Sequence, residues 1–170
     1  KEIIARSVHN ASSRADRPLV VANCRQEAGA FESELFGYEK GFGGNGDNRY
    51  IGQLEQADEG SIILNNVTDL SLESQKQLAD SLQSRTFFRQ GGTEKLSINC
   101  RIICVSDKNL DECLSKGKII PELYYQINLI PLKIPSLRER KKDVASLAKY
   151  FLDKFARDFG KTDMQFSQEA

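Results

Sequence analysis

An α/β fold with a largely parallel sheet is what this sequence predicts, and three observations carry the prediction. Helical and extended signals alternate along the chain. The extended runs are continuously apolar, as strands covered on both faces are, instead of alternating apolar with polar. The length, 170 residues, suits one ordinary domain and is short for two.

Residues 2–13 make the first predicted helix, with Ile3, Ile4 and Val8 on one face, and a polar break follows over 10–17. The run Pro-Leu-Val-Val-Ala-Asn at 18–23 is the first predicted strand. Ser-Ile-Ile-Leu-Asn-Asn at 61–66 is the second, and Arg-Ile-Ile-Cys-Val-Ser at 101–106 the third. A weaker fourth, Ile-Pro-Leu-Lys-Ile at 130–134, holds a proline that suits only a strand start or an edge. Between the second and third strands, 72–82 reads as a helix with Leu78, Ala79 and Leu82 on one face. The clearest helix is 142–159, where Val144, Leu147, Ala148, Phe151, Leu152 and Phe155 follow i, i+3, i+4, i+7, i+8, i+11 and predict a core-packing stripe. Residues 41–49, with four glycines in the six residues 41–46, predict a loop, because glycine that dense costs backbone entropy in any regular element. The chain opens inside a predicted helix and stops in the approach to another near Ser167, as a piece of a longer protein is expected to do.

Lys plus Arg equals Asp plus Glu at 24 each, a balance that speaks against direct nucleic-acid binding by this segment. No apolar run reaches the roughly 18–20 residues of a membrane-spanning helix, and no leader peptide is evident. Cys24, Cys100, Cys104 and Cys113 show no CxxC spacing, and the single histidine, His9, is remote from them, which argues against a zinc site. They read as small, partly buried apolar residues in a reducing, cytoplasmic setting.

Four stretches carry more specific information: Glu32-Ser-Glu-Leu-Phe-Gly-Tyr-Glu-Lys-Gly41, Gly52-Gln-Leu-Glu-Gln-Ala57, Leu123-Tyr-Tyr125 and Leu137-Arg-Glu-Arg140. In this order and spacing they resemble the AAA+ domain of bacterial enhancer-binding proteins, the ATPases that activate sigma-54 RNA polymerase. The resemblance covers nearly the whole chain. It implies a P-loop NTPase core of three layers with a mostly parallel sheet over 1–160, lacking its first strand and most of the P-loop, and the start of a small helical lid over 161–170. It further implies that Lys1 and Glu2 match the end of the Walker A loop, whose lysine reaches the β and γ phosphates. Asn23 matches the position that orients the catalytic glutamate, although its residue type also suits a strand-end turn.

The resemblance breaks where active members do chemistry. Their Asp-Glu pair at the end of the Walker B strand is Asn65-Asn66 here, and a carboxamide offers one neutral oxygen and takes no proton. Ile120 and Gln126 stand where active members carry the arginines that reach a neighbouring subunit's γ-phosphate. At the sensor I position the usual Thr-Asn is Ser106-Asp107. The loop that touches sigma-54, GAFTGA in active members, keeps its length but reads Gly41-Phe42-Gly43-Gly44-Asn45-Gly46, with the phenylalanine shifted and the threonine absent.

The expected function is transcription regulation by a catalytically degenerate AAA+ domain, set between an upstream receiver-like or sensory region and a downstream DNA-binding helix-turn-helix domain outside this chain. Nucleotide binding through Lys1, Glu2, Asn23 and Asn65 is expected to persist, with ATP or a cyclic dinucleotide as candidate ligand. Self-association in a ring or dimer and contact with RNA polymerase are expected; hydrolysis, action through sigma-54 and membrane association are not. Two alternatives stay open: a working ATPase that remodels sigma-54 RNA polymerase, and an interaction module that binds no nucleotide.

Overall fold

The computed structural model describes residues 1–27, 29–44, 48–161 and 164–166. The chain divides into two compact units, Lys1–Pro131 and Leu132–Ala170. In the first unit the order is α1 (Glu2–Asn10), β1 (Leu19–Asn23), α2 (Ala30–Phe36), β2 (Gly37–Tyr38), β3 (Tyr50–Ile51), α3 (Gln53–Gln56), β4 (Ser61–Asn65), α4 (Leu72–Ser84), β5 (Thr86–Phe88), β6 (Lys95–Ser97), β7 (Arg101–Val105), α5 (Leu110–Ser115) and α6 (Pro121–Ile127). The second unit holds α7 (Lys142–Asp158).

The three long apolar runs pair in parallel, in the order β1-β4-β7 among the described residues. β4 lies in the middle and its first four residues are buried, which is why that run is apolar without alternation. Its flanks are filled from several elements: Phe31, Leu35 and Phe36 of α2, Leu54 of α3, Leu78 of α4 and Leu123 of α6 belong to one buried cluster with Ile62 and Leu64. In-register pairing brings the strands to a common end at Asn23, Asn65 and Val105.

α1 stops at Asn10, short of the predicted Ser13. The Ser12 hydroxyl donates to the His9 carbonyl at 2.7 Å and accepts the Arg14 N–H at 3.2 Å, replacing helical bonds with side-chain ones. α4 starts where Ser71 Oγ accepts the Ser74 N–H at 3.0 Å. Gln75, fully buried on α4, donates to the Leu70 and Lys118 carbonyls and accepts the Ile120 N–H, each at 2.9 Å, so it fixes the approach to α6.

Between α2 and α3 the chain makes a small antiparallel pair, Gly37 opposite Ile51 and Tyr38 opposite Tyr50. A Cβ on Gly52 would lie 2.4 Å from the Gly37 nitrogen, and Gly37 itself has φ +75°, so this base closes only over glycines. The predicted 41–49 loop contains a turn of 3-10 helix, Phe42–Gly44, and residues 45–47 lie outside the described residues. A second hairpin, β5–β6, lies alongside: the Glu39 N–H donates to the Gln90 carbonyl and the Gln90 N–H to the Gly37 carbonyl, both at 2.9 Å.

The predicted strand at 130–134 is absent. The segment is irregular, with Ile130 83% and Leu132 67% exposed, and Pro131 has no N–H to offer a ladder. In the second unit a one-turn helix, Leu137–Glu139, is closed by Ser136, whose N–H and hydroxyl both donate to the Glu139 carboxylate. α7 forms as predicted, but its stripe is not core: Phe151 and Phe155 are 42% and 50% exposed, and no residue of the helix is buried. An apolar stripe becomes core only against a facing layer, and among the described residues α7 is the sole α-helix of its unit. The expected lid start at 161–170 is described only at 161 and 164–166, which are irregular; Ser167 and the residues after it lie outside the described residues.

Candidate functional site

Ligands of parallel α/β sheets bind beyond the carboxyl ends of the strands. Here that edge is the line Asn23, Asn65, Val105. The N-terminus of α1 lies against it: Lys1 is the helix N-cap, and its side chain reaches the turn after β7. Lys1 Nζ donates to the Ser106 carbonyl at 2.9 Å and to Asp107 Oδ1 at 3.2 Å. Glu2, in the first turn, accepts the Asn65 amide (Nδ2 to Oε2, 3.0 Å) and Arg6 Nε (to Oε1, 2.9 Å). Those two bonds, Arg6's first, hold the Glu2 carboxyl below the usual carboxylate range. Lys1, Glu2, Asn65 and Asp107 are therefore brought together, although 106 residues separate the first from the last.

Two of the predicted site asparagines serve the backbone. Asn23 is exposed, and its Oδ1 accepts the Arg25 N–H at 3.1 Å in a local turn. Asn66 adopts the left-handed conformation (φ 61°, ψ 41°), which asparagine tolerates better than most residues. Its N–H donates to the Val105 carbonyl and its carbonyl accepts the Asp69 N–H, both at 2.8 Å. Ile120 caps α6 through its backbone while its side chain packs against the core cluster, and Gln126 lies half-buried on α6. Neither side chain joins the strand-edge network.

Three charged residues at this edge lie outside every sequence motif. Asp69 accepts Arg25 Nε at 2.6 Å and forms an ion pair with Lys108. Arg25 Nη2 lies 3.7 Å from Asp107 Oδ2. The result is a chain of alternating charge: Lys1, Asp107, Arg25, Asp69, Lys108. Lys108 and then Arg25 hold the Asp69 carboxyl below its ordinary value. Their common signal in the sequence is position, within a few residues after a strand's last residue.

The nearby thiols are inert. Burial pushes Cys24 and Cys104 up to about 12, so neither presents a thiolate at neutral pH; Cys100, at the opposite end of β7, is pushed up to about 11. Of the predicted effector loop, Gly41, Phe42, Gly43 and Gly44 are described, and Asn45 and Gly46 lie outside the described residues. A Cβ on Gly91, in the β5–β6 turn, would meet the Phe42 ring at 3.0 Å, so the ring lies over that glycine. The loop's stem is clasped by Arg89, which is 3% exposed and pairs with Glu39, Glu55 and Glu94.

Residues 1–133 match a family model described as the Sigma-54 interaction domain. The Nif-specific regulatory protein of Azospirillum lipoferum is 39% identical over 163 residues, covering 95% of this chain and 26% of that protein. The transcriptional regulatory protein ZraR of Salmonella typhimurium is 37% identical across 100% of this chain and 39% of that protein. NtrX from Brucella abortus has a solved structure with TM-score 0.88 and 31% identity, covering 98% of this chain and 37% of that one. Its complex with ATP superposes at TM-score 0.86 with 30% identity, over 99% and 38% of the two chains. The chain thus spans 26% and 39% of the two curated relatives named.

Proposed function

Since this chain belongs to the sigma-54 interaction domain family, we propose that it is the AAA+ domain of a DNA-binding transcription regulator that retains nucleotide binding and self-association but neither hydrolyses ATP nor works through sigma-54. One observation carries the loss of hydrolysis: no carboxylate stands at the end of β4. The Asn65 amide is a donor to Glu2, and Asn66 is a left-handed turn residue. β4 itself thus offers no base to a water and no charged ligand to a metal ion, and the Glu2 carboxylate beside it is taken up by the Asn65 amide and Arg6. The finger positions, Ile120 packed on the core and Gln126, offer no cation to a neighbour's phosphate.

The ligand proposed is ATP or ADP, not a cyclic dinucleotide. Support comes from the Brucella abortus NtrX structures described as complexes with ATP and with ADP, and from Lys1 at the N-terminus of α1, where helix dipole and ammonium act together. RNA polymerase, DNA through a separate domain, and further copies of the chain are the proposed partners, in a cytoplasmic regulator. Equilibrium dialysis of labelled ATP and ADP against the full-length protein, with phosphate release measured on the same sample, tests this. Saturable binding with phosphate release at background is expected. Sustained turnover overturns the proposal in favour of a working ATPase. An absence of binding favours the interaction module, a reading to which the existing Lys1–Asp107 pair lends weight.

A further inference from the structure

We propose that Asp107 is a built-in competitor of the nucleotide's phosphates, so that the site takes nucleoside diphosphates in preference to triphosphates. This rests on the nucleotide-binding reading above and adds its specificity. Asp107 offers its two oxygens to two different cations, Oδ1 to Lys1 Nζ at 3.2 Å and Oδ2 to Arg25 Nη2 at 3.7 Å. A carboxylate between an ammonium and a guanidinium occupies the electrostatic place of a phosphate group. Lys1 is held a second time by the Ser106 carbonyl at 2.9 Å, which turns its ammonium toward the end of β7. The turn that carries Asp107 is itself closed, since Ser106 Oγ accepts the Lys108 N–H at 3.0 Å. Arg25 cannot simply follow a ligand, because Asp69 anchors its Nε at 2.6 Å.

A polyphosphate entering at the N-terminus of α1 must therefore take Lys1 from Asp107 and then remain beside the displaced carboxylate. Each added negative charge on the ligand raises the repulsion, and a triphosphate carries more charge than a diphosphate. The side chains of Lys1 and Asp107 are 38% and 58% exposed, so water screens the effect without removing it.

The test is titration calorimetry of the full-length protein with ADP and with a non-hydrolysable ATP analogue, each without divalent cation. The unaltered protein is expected to bind ADP at least as tightly as the analogue. Asp107→Asn should strengthen the analogue by several-fold to about tenfold, and ADP by less. Asp107→Ser should do the same, which guards against a local defect peculiar to the asparagine. Preference of the unaltered protein for the triphosphate, equal gains for both nucleotides, or no change in either variant overturns the proposal while leaving nucleotide binding intact. If neither nucleotide binds to the unaltered protein or to either variant, the nucleotide-binding reading falls and this inference with it.

Discussion

Arg89 and Glu55 meet fork to fork: Nε donates to Oε1 and Nη2 to Oε2, both at 2.7 Å, with the arginine side chain 3% exposed. The remaining nitrogen, Nη1, donates to Glu39 at 2.7 Å and Glu94 at 3.0 Å. One guanidinium thus joins α3, the strand end after β2 and the β5–β6 hairpin. The bond to Glu55, above all, raises the arginine's affinity for its proton although burial works against it.

Removing this cation leaves carboxylates without their partner. Arg89→Met should cost about 3–5 kcal/mol, the range for breaking a buried ion pair from one side. Lysine should not rescue it, because a single ammonium cannot make the two parallel bonds. Urea denaturation measures both variants, and a loss under about 1 kcal/mol would show that the clasp adds little.

Restoring the Walker B pair should not restore hydrolysis. Asn65→Asp places an anionic oxygen where Nδ2 now sits 3.0 Å from Glu2 Oε2, turning a hydrogen bond into a repulsion. Asn66→Glu puts a poorly suited residue in the left-handed region, at a cost of about 1–2 kcal/mol. Phosphate release by the double variant should stay at background, since Ile120 and Gln126 remain where the proposed function puts the finger arginines, and groups that act as a unit are not repaired singly. Turnover at the rate of an active relative would contradict the proposed function.

Asp69 should make stability fall in acid. Its folded-state carboxyl lies below the ordinary value of 3.8, so the unfolded chain takes up the proton first as pH drops. The contribution is complete above about pH 5, begins to fade near pH 4, and is lost as pH falls through the lowered folded value. Urea midpoints from pH 7 to pH 2.5 for the native protein and Asp69→Asn should converge at the acid end. Curves that stay parallel would mean that the pairs with Lys108 and Arg25 contribute nothing.

The two phenylalanine faces should differ sharply. Phe36 is fully buried, and Phe36→Ala should cost about 3–5 kcal/mol through lost transfer energy plus a cavity. Phe151 is 42% exposed, and its truncation should cost less than about 2 kcal/mol. Equal losses in thermal melts would show that α7's stripe is covered in the full-length protein.

Gln75→Leu keeps the volume but strands three backbone groups, the Leu70 and Lys118 carbonyls and the Ile120 N–H. A loss of about 3 kcal/mol or more is expected, at about 1–3 kcal/mol for each buried group left unpaired. Hydrogen exchange at the Ile120 amide should quicken in step; an amide as protected as before would contradict this.

Local information in the sequence determined the three central strands, α1, α4 and α7, because continuous apolar runs and a 3.6-residue stripe are properties of neighbouring residues. The four ordered stretches likewise carried the family. β2, β3, β5 and β6 were not legible, because strands of two or three residues have no period to read, and their register is set by partners far along the chain. The proline-bearing run at 130–134 looked like a strand for the converse reason: its residues allow extension, but only a neighbouring edge could make it a ladder. At the candidate site, position along the strands placed Asn23 and Asn65 on one edge. Their chemistry was decided in three dimensions, by Glu2 taking the Asn65 amide and by Asp107 taking Lys1. Arg25 and Asp69 are 44 residues apart, Lys1 and Asp107 106 apart, and no periodicity links them. An ion pair exists only where the fold brings two charges within a few ångströms, and that distance belongs to the tertiary structure alone.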